Sequence, residues 1–280
     1  MSAVAVVTDS TADLGELAAP AHIAVVPLTI SFGNEHFRDG VDLLPEDFYK
    51  RLKSSQLPPA TTQPAPSAFV AVYTKLLGAG ASGIVSLHVS GALSGTYNSA
   101  ATATQEVDPK RITVIDTRSA SLGVGLVALQ AAEDARLGLG LNEIAQRARD
   151  DCSKIELYAT FPTLTYLARG GRIGALQGLL GNVLHIVPIV SLKGGELEEY
   201  AKVRTFARAV DRIVEIVTTR IQGRGHARVA VLHAVTPHLA DEVSRRIEEA
   251  VAPALLISAC VGPTVGTHAG PGAVGVTFIQ

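Results

Sequence analysis

The chain has 280 residues, and its 24 Lys plus Arg against 26 Asp plus Glu leave a formal net charge of −2. That balance supplies no basic face, so nucleic acid is not an expected partner. Only 18% of residues are charged while 47% are hydrophobic, against roughly 25% charged in an ordinary soluble domain; apolar side chains are available for a core and for something besides a core.

The longest apolar run, residues 120–129, falls short of the about 20 residues that cross a bilayer. The first ten residues lack a basic n-region, so no signal peptide is expected. Cys152 and Cys260 lie far apart and form no metal or redox motif; they are expected as buried thiols in a reducing compartment. These features predict a soluble cytoplasmic protein.

In chain order, strands are predicted at 3–8, 22–30, 83–89 and 111–116, each a continuous apolar run as in a sheet covered on both faces. Helical stretches at 44–55, 67–78, 96–107 and 119–138 alternate with them. That order predicts a parallel sheet with helices on both sides. After a further helix at 141–152 the rhythm changes: strands at 154–161 and 187–192, the Gly-Gly turn at 194–195, and a strand at 196–203 pairing back as a hairpin. A helix (205–222), a strand (226–234), a helix (237–251), a strand (254–260) and a last strand from Ala273 complete the chain. The expected fold is α/β in two domains. An N-terminal three-layer α/β/α domain (1–155) carries a parallel sheet, and a C-terminal two-layer α/β domain (156–280) carries a mixed one.

Open parallel sheets bind ligands beyond the carboxyl ends of their strands, and polar residues gather there. Thr8-Asp9-Ser10-Thr11 follows the first strand, Ser90 to Thr96 the third and Asp116-Thr117-Arg118-Ser119 the fourth, while Thr61-Thr62-Gln63-Pro64 forms a loop before the second helix. Ser, Thr and Asp commonly cap helices, and the two Asp-containing turns are read that way, because a carboxylate repels anions. Ser94-Gly95-Thr96 differs. No acid lies within 88–100, so this helix start with spare hydroxyls suits an anion or a carboxyl group. Thr61-Thr62 is also acid-free.

Two GxGxxG matches, at Gly78 and Gly270, fail as dinucleotide fingerprints because no strand precedes the first and no helix follows the second. No GxxxxGK[ST] is present, so ATP hydrolysis by this chain alone is not expected. Eight histidines are scattered without a metal-ligand spacing. His88, His185 and His233 sit in apolar runs and are read as ordinary buried or half-buried residues. His268 sits in a glycine-rich turn at 262–275, where a solvated side chain and a ligand-facing one are both open readings. Arg169 and Arg172 flank two glycines at a helix end, and Lys202 and Arg204 end a strand. They are either solvated charges or a docking surface for phosphate or an acidic partner.

Eight stretches resemble the DegV family in order along the whole chain: VVTDSTADL (6–14), TTQPAPSAF (61–69), LSGTYNSA (93–100), VIDTRSAS (114–121), YLARGGRIG (166–174), VPIV (187–190), KVRT (202–205) and HAGPGAVGV (268–276). The resemblance implies a non-enzymatic carrier with no cofactor. It would hold a long-chain fatty acid, such as palmitate, stearate or oleate, in a tunnel between two domains. It implies that Thr61, Thr62, Ser94 and His268 meet the carboxyl group, with the amides of Gly95 and Thr96 beside Ser94. It also implies a separate fatty acid kinase subunit that phosphorylates the carboxylate, with Arg172 and Arg204 docking the kinase or handling phosphate, and peripheral membrane contact for ligand exchange. This chain departs from the family at Thr62, where a serine is usual, at Ala65, and at Val187, where a lysine is frequent. Two other readings stand beside it. One is a small-ketone enzyme on the fold shared with dihydroxyacetone kinases, using His88 or His268. The other is a regulatory protein with lipid as filler.

Overall fold

The computed structural model describes residues 3–179, 186–221, 223 and 225–280; the predicted buried histidine at 185 lies outside the described residues. Three sheets organise the chain. The first is parallel, in the order β2 (Ile23–Val26), β1 (Ala5–Asp9), β6 (Ile84–His88), β7 (Ile112–Asp116). Every residue of β6 is buried, which explains its unbroken apolar run. Helices α2 (Pro66–Gly78) and α3 (Thr96–Val107) cover one face through Phe69, Tyr73, Ala100 and Ala103. Helices α4 (Leu122–Arg136) and α5 (Leu141–Lys154) cover the other.

The mixed sheet has six strands, in the order β10 (Glu196–Val203), β9 (Val187–Lys193), β8 (Glu156–Thr160), β13 (Val274–Ile279), β11 (Arg228–His233), β12 (Leu255–Cys260). Its outer face buries Tyr158, Val229, Val231, Val276 and Phe278 under α7 (Phe206–Arg220) and α8 (Pro237–Val251). Neighbouring residues such as Leu157, Ala159, Leu232 and Gly275 point the other way, by the two-residue period of a strand.

Helix α4 lies between the two large sheets. Residues 122–128 are all buried, and the helix packs on β1 and β6 on one side and on β11 and β13 on the other. That is why residues 122–129 of this helix are apolar all round. Gly125 makes the approach possible: a Cβ there would stand 2.7 Å from the Ala12 carbonyl oxygen, a backbone atom that cannot swing aside. The core therefore runs without interruption across residue 155, and one apolar cluster includes Val85, Leu126, Ala159 and Leu232. A partly buried Arg228–Asp151 ion pair (2.6 Å) also spans that position.

Three expectations are corrected. The predicted strand at 22–30 is two strands: β2 ends at Val26, and after Pro27 the chain turns into β3 (Thr29–Phe32). Pro has no amide hydrogen to continue a ladder. β3 is the middle of a third, antiparallel sheet between β4 (Glu35–Arg38) and β5 (Ala60–Thr62), so Thr61 and Thr62 sit on a strand and not in a loop. The glycine-rich turn at 262–275 is also partly helical: α9 (Pro263–Ala269) starts with Pro in its first turn, a position where the missing amide hydrogen costs nothing. Elsewhere α3, β10 and α8 start and end where the sequence places them. Among the described residues no helix is long and apolar enough to cross a membrane.

The sandwiched helix makes a direct prediction. Leu126→Ala, at a fully buried position, is expected to lower the unfolding free energy by about 2–5 kcal/mol. Leu137→Ala, at a side chain 60% exposed, is expected to stay within about 0.5 kcal/mol of wild type. Urea denaturation of both variants checks the contrast.

Candidate ligand cavity

The inner face of the mixed sheet does not close on the parallel sheet. Between them lies a cavity that opens to solvent at a polar mouth. Leu157, Ala159, Leu192, Leu197, Leu232 and Val274 form one wall. Loops beyond the carboxyl ends of β1, β6 and β7 form the other, through Thr11, Val89, Leu93, Ala120 and Ser121. This is the end of an open parallel sheet where ligands are expected. No acidic side chain lines the cavity among the described residues, and Arg172 is its one cation there.

A polar group stands where three chain segments meet. His268, near the end of α9, and Thr61, on β5, share a 2.9 Å hydrogen bond between Nε2 and Oγ1. The imidazole lies against Gly170, where a Cβ would fall 2.0 Å from Nδ1; any larger residue would displace the ring. Nδ1 is buried without a partner. Placing the ring proton on Nε2 leaves only an acceptor orphaned there, the less costly arrangement, and makes Nε2–H the donor to Thr61. The Thr61 hydroxyl is then free to donate to a ligand. Arg172 donates from Nε to the Leu93 carbonyl (3.0 Å) and from Nη1 to the Gly170 carbonyl (2.7 Å), tying the loop before α3 to the loop beneath the imidazole. Burial, and then the nearby Arg172 charge, push the His268 pKa down to about 4, so the ring is neutral at pH 7.

Ser94 lines the cavity beside Leu93, and its hydroxyl pairs with Thr96 Oγ1 at 2.9 Å while accepting from the Thr96 amide at 3.3 Å. The serine hydroxyl thus meets the first amide of α3, whose N-cap is Gly95, and lines the cavity as well. Gly95 borders the polar mouth with Gly91, Ser94 and Arg172, and the Gln63 side chain covers its Cα, with Oε1 2.1 Å from where a Cβ would stand. Thr96 is fully buried. Thr62 neighbours Thr61 on β5, is exposed, and does not line the cavity. Arg204 is exposed just after β10 and also lies outside it. The structure thus brings Thr61, Ser94, Arg172 and His268 together, and not Thr62 or Arg204.

Sequence reasoning missed a second polar seam. Thr11, Ser121 and Thr264 line the cavity, and each is bonded to a buried acid behind it. Asp9 accepts from the Thr11 amide (3.0 Å) and hydroxyl (2.5 Å). Its other oxygen accepts from the Val89 amide (3.2 Å) and pairs with His88 Nδ1 (2.9 Å). His88 Nε2 continues to Ser86 Oγ (2.7 Å), which accepts from Tyr73 (2.8 Å). The Ser121 hydroxyl donates to Asp13, and the Thr264 amide donates to Asp39 at 3.3 Å. Reading Asp9 as a cap is half the account: it caps the short turn after β1 and also anchors β6. The signal was three acids close to apolar strand ends, where an isolated charge would be costly.

Burial raises Asp13 to about 8, against the lowering from its bond to Ser121, and burial likewise raises Asp39 to about 6. An unfolded carboxyl titrates near 3.9, so between about pH 4 and 8 the folded chain keeps a proton on Asp13 that the unfolded chain has released. Stability therefore falls as pH rises through that interval. Asp39 acts in the same direction up to about pH 6, and His268, depressed to about 4, acts in the opposite direction below its ordinary 6.5. Above that only Asp13 of these three still titrates. Unfolding free energy is expected to drop by about 1 kcal/mol per pH unit from pH 6.5 to 8, and Asp13→Asn is expected to flatten the drop. Denaturant midpoints across that range check both curves.

Comparison with known proteins follows this geometry. The family model described as "Uncharacterised protein, DegV family" matches residues 3–280. A DegV domain-containing protein of Streptomyces coelicolor is 38% identical over 276 residues, covering 98% of this chain and 97% of its own. A fatty-acid-binding DegV family protein from Thermus thermophilus superposes with a TM-score of 0.93 at 31% identity, over 99% of both chains. DegV of Bacillus subtilis, a fatty acid binding protein, superposes with a TM-score of 0.89 at 30% identity, over 100% of this chain and 99% of its own. With its three-sheet architecture and a family match along nearly its whole length, the chain belongs to the DegV family.

Proposed function

We propose that this protein binds a long-chain fatty acid, with the acyl chain in the cavity between the sheets and the carboxyl group at the Thr61–His268–Ser94 end. The observation that carries the reading is the lining: aliphatic walls, no acid, and neutral hydroxyls with a neutral imidazole beside one arginine. Burying an acyl chain contributes about 0.8 kcal/mol per CH₂, while a carboxylate without hydrogen bonds costs several kcal/mol to bury. Thr61, Ser94 and Arg172 offset that cost. The fatty-acid-binding relatives at 31% and 30% identity support the same ligand class.

The finer reading is a carrier, not a catalyst, that presents the carboxylate at the polar mouth to a separate kinase subunit for acyl-phosphate formation. Its support is the family resemblance together with Arg172 at that mouth. In the same reading Arg204 belongs to the partner-docking surface, the Gly95 and Thr96 amides serve the carboxyl end while Thr62, turned to solvent, does not, and the chain divides functionally near residue 155.

Thr61→Val keeps the shape of the side chain and removes its hydroxyl. Hydrogen bonds to charged groups contribute about 1.5–3 kcal/mol, so oleate affinity is expected to fall by about ten- to a hundredfold. Isothermal titration of oleate into the delipidated variant checks this; unchanged affinity contradicts the placement of the carboxyl group.

A further inference from the structure

Helix α9 is seven residues long, well under the about 12–15 at which an isolated helix becomes even marginal in water. Its N-cap is Gly262, which has no side chain to satisfy the first amides. The acceptors come from the other end of the chain. Asp13 Oδ1 accepts from the Gly262 amide at 2.9 Å across 249 positions, and Asp39 Oδ2 accepts from the Thr264 amide at 3.3 Å across 225. Both carboxyls are buried, at 7% and 3% exposure. The sides of the helix are held as closely: at Gly266 a Cβ would fall 2.6 Å from Tyr49 Oη and 2.9 Å from Phe48 Cε1. The Tyr49 hydroxyl donates to the Val261 carbonyl at 3.2 Å. This short helix has little stability of its own and takes its position from residues 13, 39, 48 and 49, and His268 stands in its last turn.

We infer that Asp13 and Asp39 are positioning residues for the carboxyl site: by capping α9 from the N-terminal half they hold His268 against Gly170 and in hydrogen-bonding reach of Thr61. The inference rests on the proposed fatty-acid reading for its ligand, but not for its geometry. If the cap slackens, α9 and its imidazole shift, and Thr61 loses the donor that leaves its own hydroxyl free for the ligand. Ser121, bonded to Asp13, lines the cavity and carries the same strap to the start of α4. Asp39 bonds to the Thr264 amide and to neither Thr61 nor His268, so its effect on a ligand must pass through the helix.

The test is a double-mutant cycle on the full chain, read by oleate titration and, without ligand, by the ¹⁵N resonances of the His268 imidazole. Asp39→Ala is expected to weaken oleate binding by about tenfold and to move the His268 resonances. His268→Ala is expected to weaken binding by a similar factor. The double variant is expected to be no weaker than the weaker single one, because the two residues act through one contact. Asp39→Asn, whose amide oxygen still accepts from Thr264, is expected to restore both readouts. Multiplicative losses in the cycle, or Asp39→Ala with unmoved His268 resonances, overturn the inference. If Asp39→Ala does not fold, Asp13→Ala carries the same cycle under the same criteria. A wild-type protein that binds no oleate contradicts the proposed function, and the ligand-free resonances then decide the positioning claim alone.

Discussion

The hydrogen bond between Thr61 and His268 joins residues 207 positions apart, and the candidate site exists only where it forms. Each partner is delivered by a different device. Thr61 comes from a three-stranded sheet that forms because Pro27 ends the parallel strand before it. His268 comes from a helix too short to stand unaided. Gly170 gives the imidazole its seat, and Arg172, held by two carbonyl oxygens, keeps that seat against the loop that carries Ser94. The neutral imidazole spends its one N–H on Thr61, which leaves the Thr61 hydroxyl to donate to an acid head without a second positive charge beside the guanidinium.

Electrostatics explains why acids stand close to a site for an acid. A free carboxylate at the ends of β1 and β7 would oppose a bound carboxylate. Here Asp9 is consumed by Thr11, His88 and Val89, and Asp116 accepts from the Gly91 and Arg118 amides. Asp13 keeps its proton at neutral pH. The lining hydroxyls of Thr11 and Ser121 stand between these groups and the cavity, so the acids act on structure and not on the ligand.

Much of this was legible in the sequence where a single local pattern decided the outcome. The Ala/Thr-rich stretch of α3 and the Pro-initiated α8 are bounded by their own residues, and the charged alternation of β10 marks a solvated edge. The continuous runs of β1 and β6 reported a sheet covered on both sides. What stayed hidden depended on distant residues. A lone Pro27 inside an apolar run reads as an edge-strand feature until its partner strands are known. The helix at Pro263 is propped by Asp13, Asp39 and Tyr49, none of which lies near it in sequence. Thr61, Ser94, Arg172 and His268 carried motif signals and meet in space. Thr62 carried the same signal as its neighbour, but the two-residue period of a strand turns it to solvent. Thr11 and Ser121 lay within motif stretches, but nothing local joined them to Thr264 as one seam, because its meaning lies in the acids behind it.

The central claim is that the cavity holds a fatty acid by its carboxyl end. Native mass spectrometry of freshly purified protein, followed by denaturation and lipid extraction, tests it most directly. The account predicts a mass increment of one fatty acid per chain, lost on denaturation and recovered as a long-chain acid in the extract. A clean unliganded mass that stays unchanged after incubation with oleate and with palmitate would contradict it.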